Sequence, residues 1–345
     1  MNAPAATQTE DGFRPRWLTA GGHRQTLLGV LYRRPLRWTP PAEDLAVDVG
    51  EDARLLLRAS WQKGARERRP ALVLVHGLGG CDSSAYTVAT GRFAWENGWH
   101  VIRMNLRGAG DSLRLCASLY HAGQELDLVA ALHAVAAHAP QVAVAGFSLG
   151  GNLTILALAR RGGDLPAGLI GAAAVSPPVD LAACARALES PANGIYQSYF
   201  VRSLRLGYRN RQRLRPDLYE AGRERGVRTV WQYDERITAP YSGYRDAADY
   251  YSRSSPGPLL ARVERPLLIL AAQDDPIIPA SSLTHWTLPP SGLVRRELWW
   301  TGGHVGFVGQ TRAPGRFWAA ERIVHFLQGA LDGRVDSQSG SVAQG

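Results

Sequence analysis

Lysine is almost missing from this chain: Lys63 is the only one among 39 basic residues. The formal net charge of +9 therefore rests on arginine. A surplus of this kind raises the question of an anionic partner, phospholipid or nucleic acid. The arginines are spread along the chain, which favours a compositional bias replacing lysine throughout. No RNA- or DNA-binding motif accompanies them, so nucleic-acid binding is not expected. One denser run breaks the even spread: Arg202, Arg205, Arg209, Arg211, Arg213 and Arg215. It could guide an anionic lipid or membrane surface, because arginine matches phosphate geometry well. A solvated helical face explains it as simply.

Cysteine is also scarce. Cys81, Cys116 and Cys184 are odd in number, far apart and free of C-x-x-C spacing, which argues against a disulfide framework or a zinc site. Long apolar runs are absent too, and none approaches the ~18 residues that span a bilayer. Residues 1–11 show neither a basic n-region nor an apolar h-region, so no secretory signal is expected. What remains is a soluble, cytoplasmic protein as the default. Hydrophobic residues at 45% of 345 supply ample material for a core, as one large domain or two ordinary ones.

Residues 1–12 and 332–345 are small and polar and are expected to be flexible ends without chemistry. Between them a single domain, 13–331, is expected. Leu45 to Val49 and Leu55 to Trp61 read as an antiparallel pair turning at Gly50–Glu51–Asp52. Then come short, continuously apolar runs, of the type buried on both faces of a parallel sheet. They are Ala71 to Val75, Trp99 to Met104, Val142 to Ala145, Leu169 to Val175, Leu267 to Ala271 and Val294 to Trp300. Helical patterns at Ala85 to Glu96, Glu125 to Ala137, Gly150 to Arg160 and Arg316 to Leu331 alternate with them. The alternation predicts a mostly parallel, doubly wound α/β sheet. It lapses at about 178–258, where a mostly helical insertion is expected to cap the active site.

The sharpest local signal is Gly146-Phe147-Ser148-Leu149-Gly150, a G-x-S-x-G between an apolar strand and a helical run. A sharp strand-to-helix turn strains the serine backbone and crowds its neighbours, and glycines at 146 and 150 relieve the crowding. Such an elbow lifts the Ser148 hydroxyl above the sheet as a nucleophile. Its bland alternative is a turn serine. A serine needs a base to take its proton, and in this fold the order is Ser, then Asp or Glu, then His. Asp274 and Asp275 both follow a strand; Pro276 holds Asp275 extended, which gives Asp275 a modest preference. A pair of turn-capping aspartates is the alternative. His304, in a glycine-flanked loop after the last strand, is the candidate base. Of the other histidines, His133 and His138 read as helical, His325 as part of the final helix, and His285 as part of the segment before the last strand. The turn His76-Gly77-Leu78-Gly79-Gly80 nominates the Leu78 and Leu149 amides as an oxyanion hole. His76, with Gly77, is assigned to ordering that turn. A metal site using His76, His121 and His304 lacks ligand spacing, and no cofactor is expected.

Taken together, these residues resemble the YheT-like branch of the α/β-hydrolases, which also contains mammalian lipid hydrolases and yeast medium-chain ester synthases. The likeness runs from about His23 to Leu331. It is carried by His23-x-Gln25-Thr26, His76-Gly-Leu-Gly-Gly80, Asn105-x-Arg107-Gly108, Tyr120-His121-x-Gly123, Gly146-Phe-Ser-Leu-Gly-Gly-Asn152, Asp274-Asp-Pro276 and Gly302-Gly-His-Val-Gly-Phe307. Within the insertion, Tyr233-Asp234-x-x-Ile237-Thr238 and Asp249-Tyr250-Tyr251 belong to it as well. The resemblance implies a charge relay of Ser148, Asp275 and His304, favouring Asp275 over Asp274. It also implies hydrolysis of carboxylic esters, with lipid-like or short-to-medium acyl substrates. Two alternatives stand beside this: an acyltransferase using the same acyl-enzyme, and a non-catalytic ligand-binding protein that kept the fold.

Overall fold

A computed structural model describes residues 12–15, 19–31, 38–50, 52–64 and 66–334. Of the ends expected to be flexible, 1–12 and 332–345, residues 1–11 and 335–345 lie outside the described residues, as does Glu51 of the expected first turn. The strands are β1 (Glu43–Asp48), β2 (Arg54–Ser60), β3 (Ala71–Val75), β4 (His100–Asn105), β5 (Val142–Phe147), β6 (Leu169–Val175), β7 (Leu267–Ala272) and β8 (Val294–Trp299). They form one sheet in the order β1-β2-β4-β3-β5-β6-β7-β8. The β1–β2 and β2–β4 pairs are antiparallel, and all later pairs are parallel.

Continuous apolar runs arise because both faces of the sheet are covered. In β3, Ala71, Val73 and Val75 join one apolar cluster while Leu72 and Leu74 join the other. Helices α3 (Glu125–Ala136) and α4 (Leu149–Arg160) pack on the first face. Helices α2 (Ala85–Glu96) and α11 (Trp318–Leu331) pack on the second. Two expected helix boundaries shift. Helix α3 stops at Ala136, so His138 lies just past it. The last helix starts at Trp318, because Gly315 and Arg316 adopt φ of 63° and 59° and interrupt the helical path.

Helix α1 (Gly22–Leu31) precedes the sheet and has no counterpart among the expected elements. Between β6 and β7 the chain makes α5 (Leu181–Leu188), α6 (Gly194–Leu214), α7 (Val230–Tyr233), a π turn (Asp234–Thr238), α8 (Ala239–Tyr241) and α9 (Ala247–Ser254). Helix α10 (Ala280–Thr284) follows β7. This inter-strand segment is fastened to the sheet from behind the serine turn. Asn152 Nδ2, fully buried on α4, donates to the carbonyls of Pro178 (3.1 Å) and Ser254 (3.0 Å).

The arginine run lies along α6, and only part of it is the solvated face considered above. Arg211 is 1% exposed, and its guanidinium donates to the carbonyls of Leu113 and Cys116. Arg209 pairs with Glu224 at 2.7 Å, and Arg215 with Asp217 at 2.9 Å. Arg202 and Arg213 are exposed. A helix that must pin itself to the 113–116 segment spends arginines internally, and spacing alone does not separate those from surface ones. None of the helices among the described residues is long and apolar enough to cross a membrane.

Candidate active site

The turns after β3, β5, β7 and β8 all leave the carboxyl edge of the parallel strands, where open α/β sheets bind their ligands. The turn after β5 carries Ser148, whose backbone sits at φ 52°, ψ −118°. For a non-glycine residue this is a strained conformation of the kind that persists where surroundings enforce it. Enforcement comes from the glycines. A Cβ at Gly146 would run into the Gly150 carbonyl oxygen, and one at Gly150 into the Val75 carbonyl oxygen. Strand β5 and helix α4 can therefore fold back on each other only with glycine at 146, and α4 can approach the end of β3 only with glycine at 150.

His304 follows β8 in a loop rich in positive φ, including Gly302, Gly303, Val305 and Phe307. Its Nε2 lies 2.9 Å from Ser148 Oγ, and its Nδ1 lies 3.0 Å from Asp275 Oδ2. Because Nδ1 faces a carboxylate, it carries the ring proton, which leaves Nε2 bare to accept from the serine hydroxyl. The Asp275 side chain is fully buried and that of His304 is 9% exposed. Asp275 is held from its other side: Oδ1 accepts from the amides of Ile277 (2.8 Å) and Ile278 (3.0 Å).

The neighbouring Asp274 does different work. Its carboxylate accepts from the Thr301 hydroxyl (2.5 Å) and the Gly303 amide (2.9 Å), tying β7 to the histidine loop. The two adjacent aspartates thus diverge, one to the imidazole and one to the loop that bears it. The loop has further supports that sequence reasoning did not assign. Thr26 Oγ1 on α1 accepts from the His304 amide at 2.9 Å, and Ser176 Oγ accepts from the Val305 amide at 3.2 Å. Gln25 bridges to Val308 through both its backbone groups. Of these, Gln25 and Thr26 left a trace in the sequence as the His23-x-Gln25-Thr26 motif, which carried no residue roles, and Ser176 left none.

The turn after β3 faces the serine closely, since a Cβ at Gly77 would lie 2.9 Å from Ser148 Cβ. His76 is completely buried. Its Nε2 accepts from the Leu106 amide (3.1 Å) and its Nδ1 donates to the Gly77 carbonyl (2.8 Å). Burial pushes it down to about 4, so it is a neutral brace at ordinary pH. Tyr86 OH accepts from the Gly77 amide and Tyr120 OH from the Gly79 amide. Gly80 donates to the Gly77 carbonyl. Among the described residues the Leu78 amide has no acceptor in that turn. Leu149 opens α4, so its amide is among the first helical N–H groups, which lack intrahelical partners.

Two cavities meet at Ser148. One, of about 300 Å³, runs outward between α1, α2 and α6 past Leu27, Tyr86, Ile195, Tyr199 and His304. The other, of about 90 Å³, runs beneath the inter-strand helices past Leu149, Cys184, Leu188, Phe200 and Tyr250. Both are lined mainly by apolar and aromatic side chains. Among the described residues no group of three or more His, Cys, Asp or Glu is placed to hold a metal ion.

A nucleophile elbow on a mostly parallel sheet, facing a histidine and a buried aspartate from later strands, defines the α/β-hydrolase class. The sequence model of the alpha/beta hydrolase family matches residues 72–321, and the chain belongs to that family, in its YheT-like branch. It is 33% identical over 324 residues to the Escherichia coli (strain K12) protein named "Putative esterase YheT", covering 90% of this chain and 92% of that one. It is 28% identical over 323 residues to "Phospholipase ABHD3" of Homo sapiens, covering 89% of this chain and 75% of that one. Among solved structures, the Pyrococcus furiosus esterase Pf2001 has a TM-score of 0.57 at 15% identity, covering 86% of this chain and 94% of that one.

Proposed function

We propose that this protein is a serine esterase that cleaves carboxylic esters of short-to-medium acyl or lipid-like character through an acyl-enzyme. The observation that carries this reading is the unbroken hydrogen-bonded line from Asp275 through His304 to Ser148 Oγ. In it, Ser148 Oγ attacks the ester carbonyl carbon as His304 Nε2 takes the hydroxyl proton. Asp275 holds the ring tautomer and stabilises the imidazolium that forms. The carbonyl oxygen becomes negative and is received by the amides of Leu78 and Leu149, with the start of α4 behind them. Collapse of the adduct breaks the bond to the alcohol, which leaves with the proton from His304. Water then attacks the acyl-serine, His304 again acts as base, and the carboxylic acid departs.

Two cavities converging on one hydroxyl suit a substrate with groups on both sides of its carbonyl. Relatives named as an esterase and a phospholipase support ester substrates in particular. The reading is tested with p-nitrophenyl esters from acetyl to long acyl chains, assayed with wild type and Ser148→Ala. Wild type turns over and the variant falls by about a thousandfold or more. A folded wild type inert on the whole series would instead favour a ligand-binding role.

A further inference from the structure

The inner cavity has a charge that ester hydrolysis does not require. Its wall includes Asp234, on the π turn, with only 8% of the residue exposed. Isolated π turns are rare and concentrate at functional sites. Asp234 accepts from two neutral hydroxyls, Thr238 Oγ1 (2.5 Å) and Tyr251 OH (2.7 Å), and no arginine or histidine pairs with it among the described residues. Burial pushes its carboxyl up to about 6, so it is ionised at pH 8. The other titratable groups of this wall are neutral there. His121 is pushed down to about 4 by burial and by the Arg107 charge, and burial holds the Cys184 thiol and the tyrosine hydroxyls up. Arg107 itself is committed to Asp127 through two 2.6 Å bonds.

This leaves an uncompensated anion in a mostly apolar cavity beside the nucleophile, inside a protein of net charge +9. A buried charge without a counter-ion is costly, and a ligand that supplies the counter-charge recovers that cost. The neighbouring wall is aromatic: Tyr120, Phe200, Tyr250 and Tyr251. Aromatic rings with a carboxylate are the surroundings that receive a weakly hydrated organic cation. We propose that the inner cavity is a subsite for a quaternary ammonium group on the ester substrate, with Asp234 as its counter-ion. The proposal rests on the esterase reading and narrows it to cationic esters.

The cation could sit on the alcohol or the acyl side, so the test has two arms. In the first, kcat/KM is compared for butyrylcholine and its uncharged isostere, in which carbon replaces the ammonium nitrogen. In the second, the pair is the p-nitrophenyl ester of trimethylammonio-butanoic acid and its carbon isostere. The expected result at pH 8 is a preference of about tenfold or more for the cationic ester in one arm, identifying the side. Asp234→Asn should bring that ratio close to one. Should the variant not fold, tetramethylammonium is tested as a competitor of the uncharged ester in wild type, where competitive inhibition is expected. Ratios of one or below in both arms, with the uncharged esters hydrolysed, overturn the subsite and leave the esterase standing. Failure to hydrolyse any of the four esters overturns both.

Discussion

Under the proposed mechanism, two adjacent carboxylates, Asp274 and Asp275, divide chemistry from support. Position along the chain gave Asp275 only a modest edge, because both residues leave the same strand. The structure distributes them by direction, and only Asp275 meets His304. Asp275→Asn should therefore lower kcat by about 10⁴, the scale expected when the histidine loses its tautomer-fixing partner. Asp274→Asn keeps the shape but weakens two bonds to the loop, and should cost about tenfold in kcat, with the pH profile unchanged in form. Steady-state kinetics of the two variants checks this. Equal losses would mean that the assignment of roles is wrong. Ser148, Gly146, Gly150 and His304 were legible because their chemistry demands a fixed local spacing. Thr26 and Ser176 were not, since a hydroxyl that holds a distant amide leaves no local pattern.

At the scale of elements, β3, β5, β6 and β7 were read almost to their ends because burial on both faces makes each an uninterrupted apolar run. Helix α1 escaped notice. Its sequence, GHRQTLLGVL, carries no acidic first turn and two glycines, so nothing local announces a helix. Its function is tertiary, placing Gln25 and Thr26 against the histidine loop. Thr26→Val should reduce kcat by about tenfold while leaving the fold intact, since it orphans one buried amide. Helix α4 has a comparable link to the segment between β6 and β7. Asn152→Ala would strand the carbonyls of Pro178 and Ser254 and should destabilise the protein by about 2 kcal/mol. Calorimetry would show this as a lower unfolding midpoint, and an unchanged midpoint would discount the link.

For the molecule as a whole, buried titratable groups set the response to acid. His76 and His121 are held neutral, each pushed down to about 4 from an ordinary 6.5. Their stability contribution is complete above pH 6.5 and is lost as pH falls from there through 4, by up to about 3 kcal/mol each. Asp234, pushed up to about 6, works in the opposite direction, adding stability as pH falls through 6 toward 3.8. Among these three groups the two losses outweigh the one gain, by about 3 kcal/mol between pH 7 and 4, read as a falling unfolding midpoint. Asp234→Asn, lacking the offset, should fall more steeply. Protonating His76 also removes the acceptor for the Leu106 amide, so the turn facing Ser148 should loosen in the same range.

The fold and the residues proposed to react thus share one frame, in which four strand ends bring their turns to a single hydroxyl. That claim is tested most directly by treating the protein with a fluorophosphonate and locating the adduct by peptide mass spectrometry. The account predicts one adduct, on the peptide bearing Ser148, and none in Ser148→Ala. A folded protein that takes up no label, or takes it at another residue, would contradict it.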